Sequence, residues 1–277
     1  MPATGPNIHP TAIVAPGATI ADSAVVGPYA TVGADVVLAE GVQVGAHAVL
    51  DGHTTLGEGV QILPFASVGL PPQDLKYHGE PTRVEVGPRT IIREHATVHR
   101  GSVGGEGITR IGAECLIMCV AHVGHDCQLA DKVILANNVM LGGHVHIGDN
   151  VFVGGGTAVH QSVRIGRQAV IGGMSGVERD VIPFGSCMGN RARLIGLNLI
   201  GLKRRGFGRE AINGLRLAYR SLFLGRGTFE ARMALVAQDQ GAQPQVAEVL
   251  AFIEAPSRRG LMRAGRQADD SAEAEAA

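Results

Sequence analysis

An aliphatic residue recurs at every sixth position through two long stretches of this chain. The unbroken runs are Ile8, Val14, Ile20, Val26, Val32, Leu38, Val44, Leu50, Leu56, Ile62 and Val68, then Ile111, Ile117, Val123, Leu129, Leu135, Leu141, Ile147, Val153, Val159, Ile165, Ile171 and Val177. A period of six matches neither the 3.6-residue period of a helix nor the two-residue period of a plain strand, so the backbone must turn once per repeat. The pattern predicts a solenoid.

The other positions of the hexad suit short strands joined by tight corners. A small or β-branched residue stands four positions after each aliphatic residue, as at Ala18 and Cys115, and glycine often follows the aliphatic residue directly. Three hexads close a triangular coil, with strands about 4.8 Å apart from one coil to the next. A thin prism has little room for large rings, and the chain has 4% aromatic residues and no Trp. The predicted fold class is an all-β parallel β-helix built of hexapeptide repeats.

Charge and hydropathy narrow the possible functions. The formal net charge of −1 argues against general nucleic-acid binding. The chain does not begin with a basic stretch and an apolar run, and no window approaches 18 consecutive apolar residues. We therefore expect no transmembrane segment and a cytoplasmic location. The cysteines lack paired C-x-x-C spacing and are expected to be reduced thiols, with Cys115 and Cys127 at inward hexad positions.

The repeat lapses twice. Val68 and Val86 flank the first lapse and are 18 positions apart, which equals one full coil, so the register is expected to survive. The second lapse ends at Ile111, 13 positions after Val98 and one out of phase, and this slip requires an excursion from the coil. Interruptions of a solenoid are commonly loops on its binding face. We expect such loops near residues 69–85 and 99–110.

The hexads stop near Pro183, and apolar residues then recur at helical spacing. The segments 195–206, 209–223, 229–239 and 244–254 are predicted helices, separated by Gly or Pro. The sequence thus predicts a β-helix over residues 1–190, a helical domain over 191–263 and a disordered acidic tail over 264–277. The segment from Arg191 to Arg220, called the basic segment below, carries almost only positive charge, which favours an anionic partner. Its cations are Arg191, Arg193, Lys203, Arg204, Arg205, Arg209, Arg216 and Arg220, against the single Glu210.

Four of the 11 histidines lie close together in the sequence, at His122, His125, His144 and His160. The 18-residue coil places several of them with polar or glycine residues at one corner of three successive coils. One column contains His125, Gly143 and Gln161, the next contains Asp126 and His144, and the one before contains Gly124, Gly142 and His160. A single histidine of this kind is more often an ordinary surface residue. Convergence of so many chemically active groups predicts a functional site.

Two chemistries would use this cluster. Three imidazoles could bind zinc, as in the carbonic anhydrases that are built on the same repeat. Alternatively, one imidazole could act as a general base that deprotonates a sugar hydroxyl while the oxygen attacks an activated carbonyl. Gly143, directly above His125, could then donate its backbone N–H to the oxyanion. No Ser or Cys with a paired base is evident in the cluster, which favours direct transfer over a covalent intermediate.

Several strings are longer and more specific than a generic hexapeptide repeat requires. They are QDLKYHGEPTRVEVG, TVHRG, AHVGHDC, LANNVMLGGHV, GGGTAVHQ, GGMSGV and NLIGLKRRGF. With these strings, the chain from about Ile8 to Arg263 resembles the UDP-N-acetylglucosamine 3-O-acyltransferases, which carry out the first step of lipid A synthesis. The resemblance implies a left-handed β-helix with a C-terminal helical domain, assembled as a homotrimer with active sites between subunits. It implies transfer of an R-3-hydroxyacyl chain from the phosphopantetheine of acyl carrier protein to the glucosamine 3-hydroxyl, with no metal and no further cofactor.

The resemblance also implies a role for individual residues. His125 would be the general base, Asp126 its orienting partner and Gly143 the oxyanion donor. The residues that would hold the sugar and the acyl group are Asp74, Lys76, His122, His144, His160 and Gln161. Asn198, Arg204 and Arg205 would contact the nucleotide or the phosphopantetheine, and the basic helices would receive the acidic carrier protein.

Three further positions concern acyl length and the nucleotide. Gly173 lies where the family gauges the acyl chain, and a residue without a side chain there implies a longer chain. Arg191 stands in place of a histidine at the far end of the acyl channel, and Ile200 in place of an acidic residue that touches the nucleotide. The sequence leaves open the acyl length, and whether the acceptor carries a 3-hydroxyl or a 3-amino group.

Other functions remain in competition at this point. The sibling sugar acetyltransferases that use acetyl-CoA, and the lipid A N-acyltransferase, share the hexads but match the first loop and the C-terminal segment less well. A zinc-dependent carbonic anhydrase would leave the KRRGF segment and the helices unused. A scaffold or ice-binding solenoid would need a regular outward ladder such as rows of Thr, and none is visible.

Overall fold

The computed structural model describes residues 5–265 and consists of a three-sided prism of short parallel strands followed by four helices. Most strands have two residues and pair with the strands one coil below and one coil above, as Gln61 does with Gln43 and Ile91. Successive strands occupy the three sides in turn. The predicted fold class is confirmed.

The strands form three sheets, named A, B and C in the order in which the chain first visits them. Sheet A contains β1 (Asn7–Ile8), β4 (Val25–Val26), β7 (Gln43–Val44), β10 (Gln61–Ile62), β13 (Ile91–Ile92), β16 (Leu116–Ile117), β19 (Ile134–Leu135), β22 (Phe152–Val153), β25 (Val170–Ile171), β27 (Gly185–Met188) and β28 (Arg193–Leu197). Sheet B contains β2 (Ile13–Val14), β5 (Thr31–Val32), β8 (Val49–Leu50), β11 (Ser67–Leu70), β14 (Thr97–His99), β17 (His122–Val123), β20 (Met140–Leu141), β23 (Ala158–Val159) and β26 (Gly176–Val177). Sheet C contains β3 (Thr19–Ile20), β6 (Val37–Leu38), β9 (His53–Leu56), β12 (Arg83–Val86), β15 (Ile108–Ile111), β18 (Gln128–Leu129), β21 (His146–Ile147) and β24 (Arg164–Ile165).

The core of the prism is the aliphatic position of the hexad. Leu50, Leu135 and Leu141 are fully buried, and the small residues between them, such as Ala48, fill the corners. Full burial of one such aliphatic side chain contributes about 1.5–3 kcal/mol. Ile8 is 37% exposed because it lies in the first coil of the described range, and no other coil within residues 5–265 packs below it.

The three edges of the prism are the A–B, B–C and C–A corners, named after the sheets they join. Residues with a left-handed backbone occur at turns on all three corners, such as Met174 (φ 55°) on the A–B corner, Asp126 and His144 (both φ 60°) on the B–C corner, and Asn150 (φ 58°) on the C–A corner. Backbone hydrogen bonds join these corners from coil to coil, for example from the His144 N–H to the His125 carbonyl at 2.9 Å. The columns computed from the 18-residue coil are thus present.

The first lapse does not form a coil, so the predicted full coil between Val68 and Val86 is wrong. Val68 lies in sheet B, and Val86 lies in sheet C, where its strand β12 pairs with β9. The lapse therefore inserts 12 extra residues, 71–82, at a single corner, and the inward phase is kept because 12 is two hexads. The insert includes prolines, which lack the N–H that a central strand needs.

The second lapse is an excursion, as the phase slip predicts. Strand β14 ends at His99 and β15 begins at Ile108, so residues 100–107 form a loop on the B–C corner. Both loops leave from the B–C corner, the first two coils and the second one coil before His125.

The helices are α1 (Leu199–Arg204), α2 (Arg209–Leu224), α3 (Phe229–Gln240) and α4 (Pro244–Glu254). Residues 195–197, predicted as helical, belong instead to β28, which pairs antiparallel with β27 and so supplies partners to an otherwise open sheet edge. Of the expected acidic tail, Ala264 and Gly265 pair with Leu194 and belong to the fold. Residues 266–277 lie outside the described range.

Two of the expectations from composition concern membranes and thiols. Across residues 5–265, no helix has the length and apolar character needed to cross a membrane. The four cysteines are free thiols, and Cys115, Cys127 and Cys187 are buried while Cys119 is half-buried. Burial raises the pKa of the Cys115 thiol to about 11 and of the Cys127 thiol to about 12, so both are protonated and inert.

Candidate active site

His125 and Asp126 contact each other at the B–C corner. Neighbouring side chains on a strand point to opposite faces, so this contact requires a corner conformation. Asp126 has it, with φ 60°, and its Oδ2 lies 2.8 Å from His125 Nδ1. The side chain of Asp126 is 1% exposed and that of His125 is 11% exposed. The pair is therefore largely shielded from water.

The Asp126 carboxylate is ionised in this setting. Burial by itself would raise its pKa, but hydrogen bonds donated by His125 and Ser102 outweigh burial and hold the pKa below the usual range for aspartate. A carboxylate only accepts hydrogen bonds, so Nδ1 of His125 carries the hydrogen in this pair. In the neutral imidazole, Nε2 then has a free lone pair, which is the state that a general base needs.

Gly143 lies one coil above His125, with its Cα against the imidazole. A Cβ built at this position would come within 2.5 Å of both Nε2 and Cε1 of His125, so any side chain there would displace the ring. Among residues 5–265, the Gly143 N–H donates to no other group. Gly143 therefore combines close approach to Nε2 with a backbone donor at the same corner.

His144, His160 and Gln161 extend the site along the same corner. The His144 ring packs edge-on against His125 with centroids 4.9 Å apart, and its Nδ1 is 3.9 Å from Asp126 Oδ2. Burial lowers the pKa of His144, although the Asp126 charge opposes this. His160 and Gln161 are exposed in the next coil, where His160 Nδ1 is 3.2 Å from the Gln161 carbonyl.

His122 lies on sheet B beside this corner and is accompanied by a residue that the sequence did not single out, His99. The two rings are 5.2 Å apart. Burial, followed by the neighbouring His99 and His125, lowers the pKa of His122 to about 4, and its Nδ1 is 2.7 Å from Thr97 Oγ1. His122 is therefore an uncharged hydrogen-bonding group at neutral pH.

Asp74 and Lys76 lie together on the first loop. The Lys76 N–H donates to Asp74 Oδ1 at 3.1 Å, and the Lys76 side chain is exposed. Arg100 anchors this loop to the prism, since its Nε donates to the Tyr77 hydroxyl at 3.0 Å and its Nη1 donates to the Gly69 carbonyl at 3.1 Å. A second anchor joins His99 Nδ1 to the Pro71 carbonyl at 2.6 Å.

Asn198, Arg204 and Arg205 do not meet His125 within one chain, because they lie on the C–A corner. Asn198 caps α1 by accepting from the Gly201 N–H at 3.0 Å, and its amide donates to the Gln168 carbonyl at 2.9 Å. Arg205 donates to the carbonyl of Asn150 at 3.1 Å. Ile200 is 67% exposed beside them.

Gly173 occupies the third corner, A–B, between β25 and β26. It is exposed, and a Cβ at this position would come within 3.1 Å of the Gly155 carbonyl. Arg191 is mostly exposed beyond it, with Nε 3.4 Å from Glu178. The predicted catalytic, nucleotide and acyl-length residues thus lie on three different corners of one prism.

The basic segment also forms a cleft of its own, and no residue of the His125 corner lines it. Arg216 and Arg220 on α2, with Ile195 on β28, line an open cavity of about 660 Å³. Two arginines on one wall suit an anionic partner, as the sequence predicts.

Among the described residues, one group has three potential metal ligands close together: His125, Asp126 and His144. The set contains two imidazoles and a carboxylate rather than the three imidazoles of the zinc hypothesis, and the Asp126 oxygens already accept hydrogen bonds from Ser102 and Gly107. The donor set therefore fits a hydrogen-bonded pair better than a carbonic anhydrase zinc site.

The sequence missed four contributors: Thr97, His99, Ser102 and Gly107. Thr97 and His99 belong to the TVHRG string, and Ser102 and Gly107 follow it inside the second lapse. The phase slip at this lapse was the available signal, because it required a loop at the same corner as the histidines.

Comparisons with known proteins agree with this geometry. A family model described as UDP-N-acetylglucosamine O-acyltransferase, domain 2, matches residues 180–262. The acyl-[acyl-carrier-protein]–UDP-N-acetylglucosamine O-acyltransferase of Caulobacter vibrioides is 51% identical over 255 residues, which are 92% of this chain and 97% of that protein. The Acinetobacter baumannii LpxA structure has 39% identity and a TM-score of 0.88, covering 92% of this chain and 99% of that one. The UDP-N-acetylglucosamine acyltransferase of Francisella novicida has 33% identity and a TM-score of 0.90, covering 94% and 95% of the two chains.

Proposed function

Because the chain belongs to the acyl-[acyl-carrier-protein]–UDP-N-acetylglucosamine O-acyltransferase family, we propose that His125 is the general base of its acyl transfer. The enzyme transfers an acyl group from acyl carrier protein to an oxygen of UDP-N-acetylglucosamine, a reaction of lipid A biosynthesis. The observation that carries the proposed role is the His125–Asp126 pair, with Nε2 free and facing Gly143.

In the proposed mechanism, His125 Nε2 removes the proton from the glucosamine 3-hydroxyl as that oxygen attacks the thioester carbonyl of an R-3-hydroxyacyl donor. Asp126 accepts the Nδ1–H bond and stabilises the imidazolium that forms. The Gly143 N–H donates to the carbonyl oxygen as it becomes negative. The new C–O bond forms, the C–S bond breaks, and the phosphopantetheine thiolate takes the proton back from His125.

The surrounding residues would hold the two substrates. His122, His144, His160 and Gln161 line the same corner and its flank, and are placed to bond sugar hydroxyls and the acyl group. Asp74 and Lys76 would reach the sugar from the anchored first loop. The arginines of α1 and α2 would contact the nucleotide, the phosphopantetheine or the acidic carrier protein. This assignment is supported by the charge of each group and by the resemblance of the sequence motifs.

We propose that the enzyme works as a homotrimer. In a single prism, His125, Arg205 and Gly173 lie on three corners that face away from one another. A cyclic trimer would bring different corners of adjacent subunits to one substrate. This arrangement explains how residues on separate corners could serve one reaction. A cytoplasmic location stays a prediction.

Acyl length and acceptor identity form a separate part of the proposal. Gly173 leaves the A–B corner open, which favours a longer acyl chain, and Arg191 rather than histidine stands beyond it. Turnover of the purified enzyme with carrier-protein thioesters of graded length, each with the 3-hydroxyl and the 3-amino acceptor, measures both preferences. A preference for short acyl chains would contradict the role given to Gly173.

We also propose that the transfer needs no resident metal or cofactor, since the base, the orienting carboxylate and the oxyanion donor are all protein groups. Metal analysis of the purified protein tests this. Zinc at one ion per chain, with loss of activity on chelation, would contradict the general-base mechanism.

The direct test of the mechanism is His125→Ala. We expect acyl transfer to fall by at least about 1,000-fold, because the base and its proton relay are lost together. Thermal unfolding and the oligomeric state should stay as in the wild type, since His125 sits at a corner and not at an inward hexad position. His53→Ala, an exposed histidine on sheet C, is the matched control. Near-wild-type turnover of the His125→Ala variant would contradict the general-base mechanism.

A further inference from the structure

The second loop encloses the carboxylate of Asp126. Ser102 is 2% exposed, and both its N–H and its Oγ–H donate to Asp126 Oδ2, at 3.0 Å and 2.8 Å. The Gly107 N–H donates to the other oxygen, Oδ1, at 3.0 Å. Three donors from one short loop therefore bind a single carboxylate.

The fit between this loop and Asp126 is close. A Cβ at Gly105 would lie 2.4 Å from Asp126 Cγ, so the backbone of the loop packs directly on the carboxylate. The loop also closes on itself, because the N–H groups of Gly105 and Gly107 both donate to the Ser102 carbonyl at 3.1 Å. A closed loop of this kind holds its donors in place before any substrate arrives.

Ser102 and His125 use the same oxygen of Asp126. Oδ2 accepts from the Ser102 hydroxyl and from His125 Nδ1, each at 2.8 Å. The position of Oδ2 thus sets the direction in which the imidazole points, and Ser102 supplies two of the bonds that fix Oδ2. The opposite edge of the imidazole meets Gly143, so a small rotation of the carboxylate would move Nε2 relative to the oxyanion donor.

We infer that Ser102 is a positioning residue for the acyl transfer, which holds Asp126 Oδ2 so that His125 keeps its tautomer and its aim. The inference rests on the proposed general-base role of His125. Ser102 acts through Asp126 and does not contact the reacting atoms. The second loop, which causes the phase slip in the hexads, thus places the Ser102 hydroxyl and two backbone N–H groups against Asp126. The hexads by themselves provide no such donors at this corner.

The test uses the full-length assembled enzyme with Ser102→Ala and Ser102→Thr. We expect Ser102→Ala to lower kcat by about 10-fold to 100-fold, because a hydrogen bond to a buried charge is lost. The KM for UDP-N-acetylglucosamine should stay within about twofold, since no substrate contact changes. Ser102→Thr keeps the hydroxyl and should restore kcat to within about threefold. The matched control is Ser23→Ala, which removes another serine hydroxyl bonded to a carboxylate, that of Glu40, in an early coil.

A double variant separates positioning from a general loss of structure. If Ser102 acts through Asp126, Ser102→Ala placed in the Asp126→Ala background should cause no further loss of kcat. Multiplying losses in the double variant, or a single Ser102→Ala variant within about twofold of the wild type, would overturn the inference. Should Ser102→Ala fail to fold, Ser102→Cys keeps the volume with a weaker donor and carries the same comparison. If His125→Ala is inactive and Ser102→Ala has wild-type kcat, only the positioning role of Ser102 is rejected. If His125→Ala keeps its acyl-transfer activity, the proposed general-base function is rejected.

Discussion

His122 is a member of the histidine cluster that carries no charge at neutral pH. Burial and the neighbouring imidazoles lower its pKa to about 4, so it stays uncharged at neutral pH while it bonds Thr97. A neutral imidazole can donate from one nitrogen and accept at the other, which suits a sugar hydroxyl better than a cation would. On the proposed role of His125, His122 therefore adds a hydrogen-bonding group beside the base without adding positive charge.

This perturbation predicts a pH-dependent stability. The pKa of His122 is about 4 in the folded chain and 6.5 by its ordinary value, so the unfolded state binds more protons between these limits. Stability should therefore fall as the pH drops from about 6.5 to about 4, by about 1–3 kcal/mol from this residue. Urea unfolding of the wild type and of His122→Gln at pH 7 and pH 4.5 measures it. The variant should lose less stability than the wild type, and equal losses would contradict the assignment.

At the scale of elements, the first loop depends on anchors outside itself. Arg100, whose side chain is 14% exposed, bonds both the Tyr77 hydroxyl and the Gly69 carbonyl and thereby holds residues 71–82 to the prism. The loop carries Asp74 and Lys76 but no secondary structure of its own. Its conformation should therefore be sensitive to this one side chain.

Removal of the anchor should weaken substrate binding more than chemistry. We expect Arg100→Ala to raise the KM for UDP-N-acetylglucosamine by about 5-fold to 20-fold, since ordering the loop then costs conformational entropy at each binding event. Steady-state kinetics measures this. Arg89→Ala is the matched control, because the side chain of that arginine bonds the exposed Glu114 and, within residues 5–265, no atom of the first loop. A change confined to kcat would show that the loop serves the chemical step instead.

The elements also show what the sequence could predict. The hexads predicted the inward aliphatic positions of the two runs because one period defines both the corner and the core, and stacking arithmetic then placed His125 beneath Gly143. That arithmetic failed at Val86, since a loop of 12 residues is indistinguishable from two hexads when only spacing is read. It failed again at residues 195–197, where pairing with β27 overrides helical spacing. Ser102 and His99 could not be assigned because their partners depend on loop paths that no period encodes.

For the whole molecule, the separation of functions onto corners predicts complementation between inactive chains. In a cyclic trimer, His125→Ala and Arg205→Ala chains that assemble together leave one intact site in each mixed trimer. Random assembly in equal amounts should leave about a quarter of all sites intact, and purified mixed trimers should have about a third of the wild-type activity, although each variant alone is nearly inactive. Co-expression with two affinity tags, followed by assay of the mixed trimer and of each homotrimer, measures this.

Two variants on the same corner provide the control for this experiment. His125→Ala mixed with Asp126→Ala should restore nothing, because every site then lacks one member of the pair. Recovery in this mixture, or its absence in the first, would mean that the site does not span adjacent subunits in the proposed way.

The register of the sheets has a consequence for acyl specificity. His125 follows β17 and Gly173 precedes β26, and these strands are three coils apart in sheet B. Each coil adds about 4.8 Å, a distance spanned by roughly four methylene groups of an extended chain. On the proposed role of Gly173, the residue that ends the acyl site belongs to one coil. Its distance from His125 can therefore change only by the height of whole coils. Relatives that use this prism should therefore differ in preferred acyl length by discrete steps of several carbons, and single-carbon tuning would have to come from side chains within one coil.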